Sequence, residues 1–201
     1  MTLTKRCFDI LLALILGCIL SPAILVIAVV LLMRDGRPVF HISERMKSFD
    51  EGFNLVKFRT MTEMAGDNGV SGGDKAARIT PTGRFLRRTR LDEIPQIWNV
   101  LKGDISFVGP RPPLRQYVER FPHLYREVLK SRPGITGLAS IYFHAHEERL
   151  LARSSSAEET DEIYCRACVP RKARLDLIYQ KRRNLCFDMA LMLKTVFKRL
   201  R

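Results

Sequence analysis

Two adjacent carboxylates, Asp92 and Glu93, stand among cations: Arg87, Arg88 and Arg90 just before them, Arg111 between prolines in GPRPP, and Lys57 and Arg59 in VKFRTM. An ionised aspartate can attack phosphorus and form an acyl phosphate. Arginine suits bidentate contact with phosphate, and lysine acts as a compact point charge. Two carboxylates within such a cluster fit a site for Mg²⁺ and a diphosphate. Pro95 is compatible with the first turn of a helix, which places Asp92 near a helix N-terminus. Free N–H groups there favour an ionised carboxylate and can receive phosphate. The same position is also the ordinary place of a structural N-cap. Adjacent helical residues point about 100° apart, so the two carboxylates can share a metal or divide the roles of nucleophile and helper.

Other chemistries lack their residues. The chain has no Ser-His-Asp arrangement, P-loop or dinucleotide glycine fingerprint. His123, His144 and His146 have no metal-ligand spacing and are read as structural or surface residues. The five cysteines form an odd set, two of them in or beside an apolar segment, which suits a reducing compartment. Cys165 and Cys168 are read as a helical pair three apart rather than a metal or redox site.

The elements around the carboxylates follow from pattern. Ile94, Ile97, Trp98 and Leu101 recur as one face of a helix, with Gly103 as its stop. Residues 39–42 and 53–58 are β-prone and suit a small hairpin. Residues 65–74 (AGDNGVSGGD) read as a mobile loop, either connector or lid. FVGPRPP (107–113) and RPGITG (132–137) are turns, and residues 115–130 form a helix kinked at Pro122. Residues 147–168 are polar and helical in parts.

Before all this lies an uncharged apolar run, residues 10–33. As a helix it is roughly 36 Å long, enough for a hydrocarbon core of about 30 Å. Ser21-Pro22 interrupts it, and basic residues flank both ends: Lys5 and Arg6, then Arg34 and Arg37. These features suit either a re-entrant hairpin with both ends on one face or a kinked single span. Residues 184–200 carry apolar side chains with Lys194, Lys198, Arg199 and the following Arg201 near their end. That pattern suits a helix in the membrane interface or one packed on the core. The net charge of +13 favours a polyanionic partner: nucleic acid, anionic lipid or phosphorylated substrates.

KRCFDI (5–10) with the Ser21-Pro22 segment, VKFRTM (56–61), LDEIPQIWNVLKGDISFVGPRP (91–112), RPGITGLAS (132–140) and FDMALMLKTV (187–196) together cover nearly the whole chain. In these stretches the sequence resembles the monotopic phosphoglycosyl transferases, bacterial sugar transferases that begin surface-glycan assembly. The resemblance implies an α+β fold, a mostly helical catalytic domain (37–201) with a short hairpin and interfacial amphipathic helices. An N-terminal membrane helix (1–36), re-entrant and broken at Ser21 and Pro22, would precede it. Asp92 would attack the β-phosphate of a UDP-sugar, release UMP and hold the phosphosugar. Polyprenyl phosphate, undecaprenyl phosphate in particular, would then accept it. Mg²⁺ would be held by Asp92 and Glu93, while Arg88, Arg111, Lys57 and Arg59 would contact phosphate. The basic composition would meet anionic lipids rather than nucleic acid, at the cytoplasmic face of the bacterial inner membrane. The chain departs from the family's usual GITGLAQVNGR by reading GITGLASIYFHAHEERLLA (134–152). This leaves the identity of the sugar open. Two rival functions remain: a non-catalytic basic module tethered to membrane, and a glycosyltransferase that leaves UDP.

Overall fold

The computed structural model describes residues 1–62, 69–70 and 72–199, with the side chains of Lys198 and Arg199 outside that set. Helix α1 (Leu3–Arg34) begins at Thr2, whose hydroxyl accepts from the Lys5 N–H at 3.3 Å. Its 32 residues extend about 48 Å at 1.5 Å each. Most of its apolar side chains are exposed, among them Leu11, Leu14, Ile19, Leu25 and Val26, and its mean hydropathy reaches 2.9. The helix continues through Pro22, so the break expected at Ser21-Pro22 is not an interruption of helical structure. Proline has no N–H to offer the carbonyl four residues earlier. That carbonyl, of Cys18, instead accepts from the Ser21 hydroxyl at 2.9 Å.

Both ends of α1 are fastened to the rest of the molecule. Near its start, Lys5 Nζ donates to the Val108 carbonyl at 3.2 Å and pairs with Asp188. Arg6 donates to the Val100 and Leu101 carbonyls at 2.6 and 2.8 Å, capping the end of a later helix. At the far end, Arg59 donates to the carbonyls of Asp35, Gly36 and Arg37. Ala13 is buried among Val100, Ile105 and Val108, and Leu31 among Phe58 and Leu86. One side of this apolar helix is thus core and the other is bare.

The expected hairpin is present and longer than its β-prone residues suggested. Strands β1 (Phe40–Met46) and β2 (Gly52–Phe58) pair antiparallel, Phe40 opposite Phe58. Phe53, Leu55 and Phe58 point into the core. Helix α2 (Pro81–Thr89) is capped by Thr80, whose hydroxyl accepts from Gly83 N–H at 2.9 Å. A 3-10 turn (Leu91–Gln96) leads into α3 (Ile97–Lys102), which Gly103 ends in the left-handed region as expected. The face expected of α3 holds for Ile97, with Ile94 and Leu101 packed against the same core, but Trp98 points outward at 60% exposure, and Val100 is buried in its place.

The loops FVGPRPP and RPGITG contain strands the sequence did not signal. β3 (Ser106–Val108) and β4 (Gly134–Thr136) pair in parallel. Between them, Phe121 separates α4 (Arg115–Arg120) from α5 (Pro122–Val128), so Pro122 opens a second helix rather than kinking one. Then follow α6 (Leu138–Tyr142), α7 (His144–Leu151), α8 (Ala157–Ile163), a π-helical turn (Tyr164–Cys168), α9 (Val169–Arg182) and α10 (Leu185–Arg199). Cys165 and Cys168 are buried free thiols on the π turn. Half of the segment read as a mobile loop, residues 65–68 and 71, lies outside the described residues, as does Arg201; its last two residues begin a 3-10 turn (Gly73–Arg78).

Backbones touch at the β3–β4 junction. A Cβ on Gly134 would lie 2.2 Å from the Gly109 nitrogen, and one on Gly109 would lie 2.2 Å from the Arg132 carbonyl. These contacts are backbone on backbone and cannot relax by rotamer change. Gly134→Ala is expected to cost at least about 2 kcal/mol of stability, read from the denaturation midpoint of the detergent-solubilised protein.

Candidate active site

Asp92 and Glu93 lie on the 3-10 turn, each 7% exposed. The turn starts from Arg90, a non-glycine residue at φ 59° that both ends α2 and caps the turn. Asp92 is therefore not the N-cap. Its neighbour Glu93 collects cations from three segments. Oε1 accepts from Arg111 Nη2 at 2.9 Å and Lys57 Nζ at 3.2 Å, and lies 3.5 Å from Arg90 Nη1. Burial by itself would raise the Glu93 carboxyl, but Arg111, Lys57 and Arg90 outweigh it and hold it far below the usual range. Glu93 in turn holds the Arg111 guanidinium firmly protonated. Burial, reinforced by Arg111, lowers Lys57 to about 8 despite both carboxylates.

Asp92 differs in kind. Its Oδ1 is buried and has no hydrogen-bond partner. Burial, then the charge of Glu93, raise its carboxyl above the ordinary value, with Lys57, Arg90 and Arg111 opposing. Asp92 lines a cleft rich in cations, and a carboxylate there can act as nucleophile or cation ligand.

Local sequence explains how the cations arrive. Asn99 in α3 is buried; its side chain accepts from Val56 N–H at 3.0 Å and donates to the Asn54 carbonyl at 2.8 Å. This pins β2 against α3 and sets Lys57 over Glu93. Arg111 is the half-exposed residue between buried Pro110, Pro112 and Pro113. Two contacts hold that loop: Met46 N–H donates to the Pro113 carbonyl at 3.0 Å and Gly134 N–H to the Pro110 carbonyl at 2.8 Å.

These groups line one cavity of about 1480 Å³, with Arg45, Arg59, Arg87, His144, Glu147, Lys172 and Asp176 also on its wall. Of the sequence candidates, Asp92, Glu93, Lys57 and Arg111 converge. The Arg59 guanidinium is committed to the carbonyls closing α1. Arg88 is exposed, 5.9 Å from the Phe85 ring centroid, and is not on the cavity wall. Arg87 is there instead, donating to Thr60 Oγ1 at 2.9 Å and electrostatically coupled to Asp92. Sequence reasoning did not name Arg45, and it read His144, now on the cavity wall, as structural or surface; burial, Arg90 and Arg111 bring His144 down to about 3, so its ring is neutral at pH 7.

Among the described residues no three His, Cys, Asp or Glu side chains group as a metal site. Mg²⁺ commonly takes one or two carboxylates and completes its shell with phosphate and water. The unpartnered Asp92 Oδ1 fits that role; the cation-bound Oε1 of Glu93 has less to offer it.

The family follows from comparison. The chain belongs to the bacterial sugar transferases, whose family model matches residues 1–201. It is similar to the UDP-N-acetylgalactosamine-undecaprenyl-phosphate N-acetylgalactosaminephosphotransferase of Aeromonas hydrophila, 32% identical over 198 residues, covering 96% of this chain and 42% of that protein. It is 33% identical over 200 residues to the UDP-glucose:undecaprenyl-phosphate glucose-1-phosphate transferase of Escherichia coli K12, covering 98% and 40%. Similarity to the uncharacterized sugar transferase EpsL of Bacillus subtilis 168 is 42% over 137 residues, covering 68% and 67%. The chain thus spans about two fifths of the length of the first two relatives.

The placement of the two adjacent arginines is testable with pyrophosphate as probe. Arg87→Ala should weaken its binding about tenfold or more, the loss of one charged hydrogen bond. Arg88→Ala should change it by less than about twofold. Isothermal calorimetry on the two variants separates them.

Proposed function

We propose that this chain transfers a phosphosugar from a UDP-sugar to polyprenyl phosphate, in the manner of undecaprenyl-phosphate sugar phosphotransferases, through a covalent aspartyl intermediate. The observation that carries the reading is the buried, unpartnered Oδ1 of Asp92 beside a carboxylate saturated by Lys57, Arg90 and Arg111. Asp92 attacks the β-phosphorus of the donor. A new carboxylate oxygen–phosphorus bond forms, the bond from β-phosphorus to the bridging oxygen breaks, and UMP departs with that oxygen and its electron pair. An oxygen of the lipid phosphate next attacks the same phosphorus and restores the free carboxylate. The products are UMP and a polyprenyl diphosphate sugar. Arg111, Lys57 and Arg87 hold the phosphoryl oxygens as charge develops. Glu93 keeps the cations aimed, and Asp92 with the donor's phosphates is the natural holder of Mg²⁺. When bound, the ion would neutralise negative charge on the diphosphate.

The same proposal places α1 in one leaflet, both ends at the cytoplasmic face of the inner membrane. Supporting it, Lys5 and Arg6 near one end and Asp35 to Arg37 beyond the other are all tied to the same globular body. A helix crossing the bilayer would put those ends on opposite sides. Exposed Trp98 on α3 and Met189, Leu193, Val196 and Phe197 on α10 suit an apolar–water boundary with anionic lipid headgroups.

Incubating the protein with a radiolabelled UDP-sugar and no lipid should release UMP and leave label on Asp92, seen by peptide mass spectrometry. Asp92→Asn should reduce turnover by at least about 10³-fold, as loss of a nucleophile does. Release of UDP, or label on another residue, would sink the mechanism. Single cysteines at positions 2 and 36, in a background lacking the native cysteines, should react with an impermeant thiol reagent from the same side; opposite-side labelling would exclude the re-entrant arrangement.

A further inference from the structure

The cavity is larger than the 300–1,000 Å³ or so of a typical ligand pocket, and the catalytic carboxylates with their cations occupy only part of its wall. Another part comes from α7 and α9, including the stretch where this chain leaves the family's usual wording. Glu147 Oε1 accepts from Lys172 Nζ at 2.7 Å. Lys172 also donates to the Tyr164 hydroxyl at 3.2 Å and lies 4.9 Å from that ring's centroid. One turn further along α9, Asp176 is only 6% exposed, and its Oδ1 has no partner. The charges acting on Asp176 are Lys172 and Glu147, and Glu147 in turn acts on Arg111, which pairs with Glu93. Asp92, Arg111, Glu147, Lys172 and Asp176 thus line the same cavity.

An unpartnered buried carboxylate destabilises a fold unless something completes it. Burial drives the Asp176 carboxyl up to about 7, against the pull of Lys172. Two carboxylates here disfavour a second phosphate, and the lysine between them disfavours a metal ion. What suits the group is a neutral molecule with hydroxyl donors. We propose that Asp176, with Glu147 and Lys172, forms the subsite for hydroxyl groups on the carbohydrate portion of the donor, its sugar or its ribose, and so helps set donor choice. This rests on the phosphosugar-transfer reading above.

Equilibrium binding to the full chain in detergent tests it independently of turnover. Asp176→Asn keeps shape and removes charge. It should raise the Kd for the UDP-sugar about tenfold, the loss of one charged hydrogen bond, with a melting temperature equal to or above that of the unaltered chain. Glu147→Gln, which loosens Lys172 without altering α9, should raise the same Kd. If the Kd for UDP is unchanged in Asp176→Asn, the partner hydroxyls belong to the sugar; if it rises equally, they belong to the ribose. Unchanged UDP-sugar affinity in both variants overturns the subsite, as does an unaltered chain that binds no UDP-sugar. A lower melting temperature with unchanged affinity makes Asp176 structural, and also overturns it. An unaltered chain that binds UDP-sugar but never yields UMP defeats the transfer reading alone, and the variants' Kd values still decide the subsite.

Discussion

Glu93 is the point on which the site is built. Its carboxylate is almost wholly buried and is met by Lys57 from the hairpin, Arg90 from the end of α2 and Arg111 from the loop after β3. A buried charge persists only when paired, so those three segments are drawn to one place. The arrangement leaves more positive than negative charge around the pair, and it leaves Asp92 with an oxygen nothing uses. Had Asp92 shared the cations evenly with Glu93, neither carboxylate would be free. The asymmetry between two identical functional groups, one saturated and one idle, gives them different chemistry.

The cations can be aimed only because their backbones are fixed. Arg111 gains its direction from the abutment of Gly109 on Arg132 and Gly134, where no side-chain atom fits. That abutment is itself fastened from behind. The Val108 carbonyl accepts from both Lys5 and the Tyr179 hydroxyl, and both of these side chains also bind Asp188 on α10. The end of strand β3 thus feels α1, α9 and α10 together.

Residue types were more legible in the sequence than their directions. The carboxylate pair, Lys57, Arg111, the hairpin and the apolar helix could all be read, because each announces itself over a few neighbouring residues. Arg87 and Arg88 could not be told apart: they sit about 100° from one another on α2, and the helix phase comes from Leu86 and Gly83 packing inward. Strands β3 and β4 are three residues each, too short for alternation, and pair across 28 positions. Trp98 broke the inside-outside rule because the rule assumes water outside, whereas it stands on a helix packed against an apolar one. The capping option for Asp92 failed through Arg90, whose left-handed backbone starts the turn two residues earlier. His144 and Glu147 fall in the stretch where the chain departs from the family's usual reading, but only tertiary packing brings them and Asp176 to the cavity.

Helix α1 is better understood as a wall of the core than as an anchor on a tether. Leu12, Ala13, Leu16 and Leu20 pack with Val100 and Ile105 behind α3, while Leu31 closes over Phe58 and Leu86. Those contacts back the elements that carry Asp92 and Lys57. At about 25 cal/mol per Å² of apolar surface, stripping them would cost the domain several kcal/mol, comparable with the whole stability of a small protein. The surface α1 turns outward is equally apolar, so the fold is complete only when something other than water covers that side. A bilayer supplies such a cover, and in doing so would bring lipid to the helix that backs the turn carrying Asp92 and Glu93. The physical requirement for stability and the proposed requirement for a lipid-borne acceptor are then met by one helix.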